Sequence, residues 1–376
     1  MRPLVPLSLL FTAAAFAQYP GLTLPPSGNN QMASVVQHIG PVEVRIDYSS
    51  PAVHGPDGKD RRGQIWGKLV PYGLSDLGFG NGKPGPWRAG ANQNTVFSVS
   101  DDVVVQGKPL PAGHYGLHMI PGQDEWTIIF SKDSGAWGAF FYEDSHDALR
   151  VQAKPAKHEY REWLTYDFVE RKPTQTTVQL QWEDLALPWT IQVPDVNKIY
   201  VTRLSQELTN QQGFDYHAYD MAAQFCVQSN SNLEQGLKWA DAAVSMPGIG
   251  VANFSTLNVK AQVLAKMGRK GEADAVMKTA LSMPGTTALE IHTYGRQLLG
   301  EKRNTEALEV FQLNAQRNGD AWPTNVGLMR GYAAAGDNAK ALEYAKKALV
   351  QAPDTLNRKN LETIVKDLSD GKPLAN

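Results

Sequence analysis

The sequence predicts two architectures in series: an antiparallel β-sandwich or barrel, followed by an α-solenoid of stacked helix pairs. Three observations predict this. Ahead of Pro194, short runs alternate apolar and polar residues, with Gly, Pro and Asp between them. The crossover helices that a parallel sheet requires are missing from that half. Beyond Pro194, small and apolar residues recur every 34 positions, as in Ala273, Ala307 and Ala341, or Met277, Phe311 and Ala345.

The first 17 residues read as an export signal. Arg2 supplies the positive end, Leu4 to Phe16 is a short apolar run, and Ala15-Phe16-Ala17 is a small-x-small cleavage site before Gln18. The run is too short for a membrane span, which needs roughly 20 apolar residues. A periplasmic or secreted protein is expected, cut after Ala17. Residues 18–31, with Pro25-Pro26-Ser27-Gly28-Asn29-Asn30, form a leader too polar to bury a core.

Residues 32–194 form the β domain. Val42, Val44 and Ile46 alternate with Glu43, Arg45 and Asp47. Strands are predicted at Thr95–Val99 and Val103–Val105, before a Gln106-Gly107-Lys108 turn. A hairpin joins Tyr115–Ile120 to Trp126–Phe130 through Pro121-Gly122-Gln123-Asp124. Trp137–Tyr142, Trp163–Val169, Thr177–Trp182 and Trp189–Val193 complete eight or nine short strands. Asp195 opens a connecting helix over 195–214, and Asp215 caps the next. Repeats fill 215–356, three of them clear and the leading one degenerate. Residues 357–376 hold a capping helix and tail. Repeats of this kind bury their apolar faces only by stacking.

With 36 Lys and Arg against 38 Asp and Glu, the chain of 376 residues has a net charge of −2. That balance gives no overall basic field for nucleic acid, and no nucleic-acid partner is expected. Cys226 is the sole cysteine, so neither an internal disulfide nor a Cys-based metal cluster can form. Its neighbours Ala222, Ala223, Phe225 and Val227 place it in a helix core.

Two resemblances extend this reading. Asp47-Tyr48-Ser49-Ser50-Pro51, Ile65-Trp66-Gly67-Lys68-Leu69-Val70-Pro71-Tyr72-Gly73, Trp87-Arg88-Ala89-Gly90-Ala91-Asn92, Gly107-Lys108-Pro109-Leu110-Pro111-Ala112-Gly113-His114-Tyr115-Gly116 and Trp137-Gly138-Ala139-Phe140 carry the first. On these motifs, residues 41–193 resemble the bacterial family named domain of unknown function 2911. The resemblance implies an exported β protein, often followed by helical repeats. The chain departs from the family in an expanded Gly55–Arg61 loop, an insertion over Leu74–Pro86, and Gln93 where Glu is common. Tyr332, Gly336, Ala341, Ala348 and Pro353 carry the second. Residues 217–354 resemble tetratricopeptide-type repeats, which implies protein or peptide contact.

Candidate binding residues follow. Arg88 and Asn92 flank Gly90, and a guanidinium fork beside a carboxamide suits an anionic or sugar ligand. The plainer alternative is loop carbonyls held by Arg88 and a local turn made by Asn92. His114 and His118 share one face of a strand. Their Cβ atoms, about 13 Å apart, are too distant to ligate one metal at about 2 Å. Both are expected at a half-solvated face or mouth. Trp66 and Trp87 sit in Gly/Pro loops and are the tryptophans expected to meet a small molecule or carbohydrate, with Tyr48 nearby. Trp126, Trp182 and Trp189 lie in clean alternations and belong to the core.

Gly78-Phe79-Gly80-Asn81-Gly82-Lys83 fails as a phosphate loop, because residue 77 is Leu and Pro84 follows Lys83. No metal or other cofactor is expected. In the repeats, register places Asn258, Gln262, His292, Arg296 and Arg330 on the concave face, where a peptide carboxylate would meet Arg296 and Arg330. These features describe an exported ligand-binding or scaffold protein. The alternative is a hydrolase or lyase at one end of the sandwich, built from Arg88, Asn92, His114 or His118 and Tyr48, with residues 74–86 as a lid.

Overall fold

The computed structural model describes residues 27–76, 78, 80–372 and 374. The predicted export signal and most of the leader lie outside the described residues, as do Leu77 and Phe79 of the insertion. The chain divides into two units, Met1–Val196 and Asn197–Asn376. No helix among the described residues is long and apolar enough to cross a membrane.

The first unit is an antiparallel sandwich. Its strands are β1 (Gln31–Ile39), β2 (Val42–Ser50), β3 (Thr95–Val99), β4 (Val103–Val105), β5 (Lys108–Leu110), β6 (Gly113–Ile120), β7 (Trp126–Ser131), β8 (Asp147–Ala153), β9 (Ala156–Lys172) and β10 (Gln175–Gln192). One sheet runs β1-β2-β3-β6-β7-β8 and the other β5-β4-β10-β9. Alternation decides which side is buried: Val42, Val44, Ile46 and Tyr48 of β2 face inward, as do Tyr115, Leu117 and Met119 of β6. Tyr48 meets Tyr166 of the opposite sheet edge to face, with centroids 4.9 Å apart. The β4–β5 turn has positive φ at Gln106 and Gly107, as a tight two-residue hairpin loop requires.

Some strands differ from expectation. Thr177–Trp182 and Trp189–Val193 fall almost wholly in one long strand, β10. Its irregularities at Val178, Glu183 and Leu185 break the sequence alternation without ending the strand. Trp137–Tyr142 is a succession of turns, not a strand. Gly138 adopts φ 62° there, and an added Cβ would lie 2.5 Å from Arg88 Cζ. The 74–86 insertion lies against this segment: Asn81 N–H donates to the Phe140 carbonyl (3.0 Å) and Lys83 pairs with Glu143 (2.9 Å).

The second unit holds α1 (Val196–Glu207), α2 (Tyr216–Ser229), α3 (Leu233–Ser245), α4 (Phe254–Lys266), α5 (Lys270–Ser282), α6 (Ala288–Gly300), α7 (Asn304–Asn318), α8 (Trp322–Ala334), α9 (Asn338–Val350) and α10 (Thr355–Ser369). The sequence period reappears as helix starts. First helices begin at 254, 288 and 322, and second helices at 270, 304 and 338. N-caps keep the same register: Asn253 accepts from Thr256 N–H and Thr287 from Glu290 N–H. Asp215 caps α2 as the sequence predicts, accepting from His217 N–H. Cys226 is buried on α2, where Gly236 of α3 approaches so closely that a Cβ would lie 2.7 Å from that of Cys226.

The pairs α6/α7 and α8/α9 meet around Phe311 of α7. Ideal Cβ atoms at Gly295, Gly327 and Gly331 would stand 2.3, 2.5 and 2.9 Å from its ring. Three glycines therefore make the slot that this one ring fills.

Candidate functional site

The first helices of the pairs, α2, α4, α6 and α8, carry five buried polar atoms without a hydrogen-bond partner: Asp220 Oδ1, Asn258 Oδ1, His292 Nδ1, Trp322 Nε1 and Arg330 Nε. Helices α2, α4 and α6 contribute one such group each and α8 two. Buried polar groups are paired in nearly all native structures, so an unpaired row marks a surface shaped for something else. Charge is uneven along these helices, with Asp220 on α2 and the cationic Arg296 and Arg330 on α6 and α8.

The cationic end is built from the 34-residue register. Arg296 and Arg330 occupy equivalent positions on α6 and α8, one turn beyond His292 and Val326. Gly327 makes room for the imidazole, since a Cβ there would lie 3.2 Å from His292 Nδ1. Burial, then Arg330 and Arg296, lower His292 to about 4, so the ring is neutral at pH 7. Burial and the adjacent Arg296 also lower Arg330. No carboxylate is among the groups acting on either His292 or Arg330. Two guanidinium groups therefore stand close together, one exposed and one half-buried, with their repulsion unrelieved. Gln262 lies apart from them, in a cleft of about 460 Å³ with Lys266, Gln297 and Arg303.

The β-unit candidates separate. Arg88 Nη1 donates to the Asn92 carbonyl, and its guanidinium lies 4.9 Å from the centroid of the Phe140 ring. Asn92 adopts φ 55°, the left-handed turn geometry that Asn tolerates. His114 is exposed and bonds Ser98 Oγ at 2.7 Å. His118 shares that face of β6 but is not the surface residue expected. It is 2% exposed beneath Tyr142, with ring centroids 5.5 Å apart, and burial lowers it to about 4. The segment 137–142, mispredicted as a strand, is what covers it. Tyr48 points to the opposite, inner face, and its hydroxyl accepts from Tyr166 N–H. The sheet itself keeps Tyr48 from His118, so these five residues do not share one pocket.

Trp66 and Trp87 also differ from expectation. Their loops fold inward, and both join Trp126 and Trp182 in one aromatic cluster with centroid separations of 5.1 to 6.4 Å. Trp87 pairs its backbone with Met119. Trp66 keeps one opening: it lines a pocket of about 300 Å³ with Arg62, Gly63, Tyr160, Glu183 and Asp184. Sequence reading missed Glu183. The only signal there was a neighbouring acid pair inside a long alternation. Among the described residues, no group of three or more His, Cys, Asp or Glu is placed to hold a metal.

These units define a β-sandwich joined to a tetratricopeptide-type helical array. Residues 30–191, the sandwich, match the family model described as a protein of unknown function, DUF2911. Among solved structures, MamA residues 41 to the end from Desulfovibrio magneticus RS-1 is 17% identical. That match covers 43% of this chain and 97% of the solved chain, with a TM-score of 0.28. YrrB, described as a TPR protein with an unusual peptide-binding site, is 18% identical. It covers 44% of this chain and 83% of YrrB, with a TM-score of 0.30. No curated protein matches the chain.

Proposed function

We propose that this protein is an exported scaffold whose helical unit holds a protein partner through an acidic or C-terminal segment. The carrying observation is the uncompensated pair Arg296 and Arg330 beside neutral His292. A carboxylate placed there relieves the repulsion between the guanidinium groups and gives the Arg330 fork a planar partner. Arg2, the apolar run and Ala15-Phe16-Ala17 support export to the periplasm or medium.

The test is fluorescence anisotropy with labelled acidic peptides that carry either a free or an amidated C-terminus. Arg296→Glu and Arg330→Glu should each weaken binding by at least about tenfold, or 1.4 kcal/mol. Affinities unmoved by both changes remove the basis of the reading. For export, mass spectrometry should find a mature N-terminus at Gln18; secreted protein that retains Met1 would contradict the predicted cleavage.

A further inference from the structure

The pocket at Trp66 has a feature that strand geometry ordinarily forbids. Neighbouring residues of a strand point to opposite faces, so adjacent acids do not share a site. Glu183 and Asp184 nevertheless line the same pocket. Glu183 adopts φ 57°, in the left-handed region, and the β9–β10 register shifts on both sides of it. A bulge of this kind re-aims a side chain. Holding a non-glycine residue there costs of order 1 kcal/mol or more.

The groups around the pocket set its chemistry. Glu183 is 5% exposed, and its Oε1 accepts from Gly63 N–H. Asp184 and Asp60 both act on it as like charges. The guanidinium that lines the pocket, Arg62, is held by Asp60 at 2.5 Å and lies 5.8 Å from the Tyr160 ring centroid. Arg62 is thus taken up by Asp60, and no cation is among the groups acting on Glu183. Trp66 and Tyr160 are the aromatic walls. Carboxylates and aromatic faces around a small volume favour an organic cation, through ion pairing and attraction to the ring quadrupoles.

We propose that this pocket binds a primary alkylammonium group, with Glu183 and Asp184 as counter-charges and Trp66 and Tyr160 as walls. The site is independent of the helical groove and does not rest on its reading. A free amine and a lysine side chain present the same head group. Binding relieves the repulsion between the acids, so affinity falls as pH drops through the carboxyl range.

Isothermal titration of the full chain would use n-butylamine, Nα-acetyl-lysine amide, 1-butanol and methyl β-glucopyranoside. Both amines should bind at millimolar concentrations and 1-butanol should not. Tighter binding of either amine names the source and supports the site. Glu183→Gln keeps an acceptor for Gly63 N–H and should weaken amine binding about tenfold, or 1.4 kcal/mol. Asp184→Asn, at an exposed position, should weaken it about threefold and stays informative if the first variant fails to fold. Absence of amine binding overturns the proposal, as does amine affinity indifferent to both substitutions. Glucoside binding equal to that of the amines overturns it too, since that would make the pocket a sugar site.

Discussion

The two units solve the problem of filling a core in opposite ways. The β unit uses a few large rings drawn from distant stretches: Trp126, Trp182, Trp189, Tyr166, Phe97 and Phe130 are all fully buried. The helical unit uses small residues at a fixed interval, with Ala273, Ala307, Ala341, Ala345 and Ala348 at its helix crossings. Among the largest fully buried side chains described, Phe311 alone comes from that unit. A sandwich has two inner faces to bridge, whereas paired helices gain by approaching closely. Damage should therefore spread through the whole β unit but stay local in the repeats, where each pair touches only its neighbours.

Trp182→Ala and Phe311→Ala should each cost about 3–5 kcal/mol, measured by urea unfolding. Their extents should differ. Hydrogen exchange should show protection lost across β2 to β10 in the first variant. In the second it should be lost over α6–α8, with α2 and α3 unchanged. Equal loss at α2 and α3 would break the contrast.

Each unit also contains one histidine that burial lowers to about 4, His118 and His292. The unfolded chain takes up these protons below about 6.5, while the folded chain resists until about 4. The stability that neutral rings permit is therefore full above 6.5 and declines as pH falls towards 4. At most ~3 kcal/mol is lost per residue. Urea midpoints at pH 7 and 4.5 should converge in His118→Asn and His292→Asn relative to the parent. A parent with the same midpoint at both pH values would discard the buried-histidine account.

Smaller changes sharpen the picture. Gly295→Ala drives a methyl into the Phe311 ring and should cost about 1–3 kcal/mol. Calorimetry showing no loss would mean that the ring has room to move. Asp215→Ala removes the α2 cap and should be visible as a slightly lower urea midpoint.

Local patterns carried most of the fold. Val42, Val44 and Ile46 predicted a half-buried strand, and β2 buries them as predicted. The 34-residue spacing predicted repeated helix pairs, and helix starts recur at that interval because every repeat meets the same neighbours. Failures occurred where local pattern and tertiary contact diverge. Trp137–Tyr142 has the aromatic content of a strand, yet it turns at Gly138 and packs on Arg88 and His118. Trp66 and Trp87 lie in loop-like sequence, yet their rings find Trp126 and Trp182. Of the site residues, the 34-residue register relates Arg296 to Arg330, but it carried no sign of the burial of His292 or Arg330.

The sequence by itself determined the order of the two architectures, the repeat length, the cap at Asp215, and the inward residues of regular strands. Each follows from interactions within a few positions of the chain or from strict periodicity. Only tertiary structure decided that Glu183 and Asp184 share a pocket, that His118 is covered, and that Arg330 has no acid to pair with. Those properties depend on groups far away in sequence, and on a backbone bulge whose φ no alternation pattern encodes.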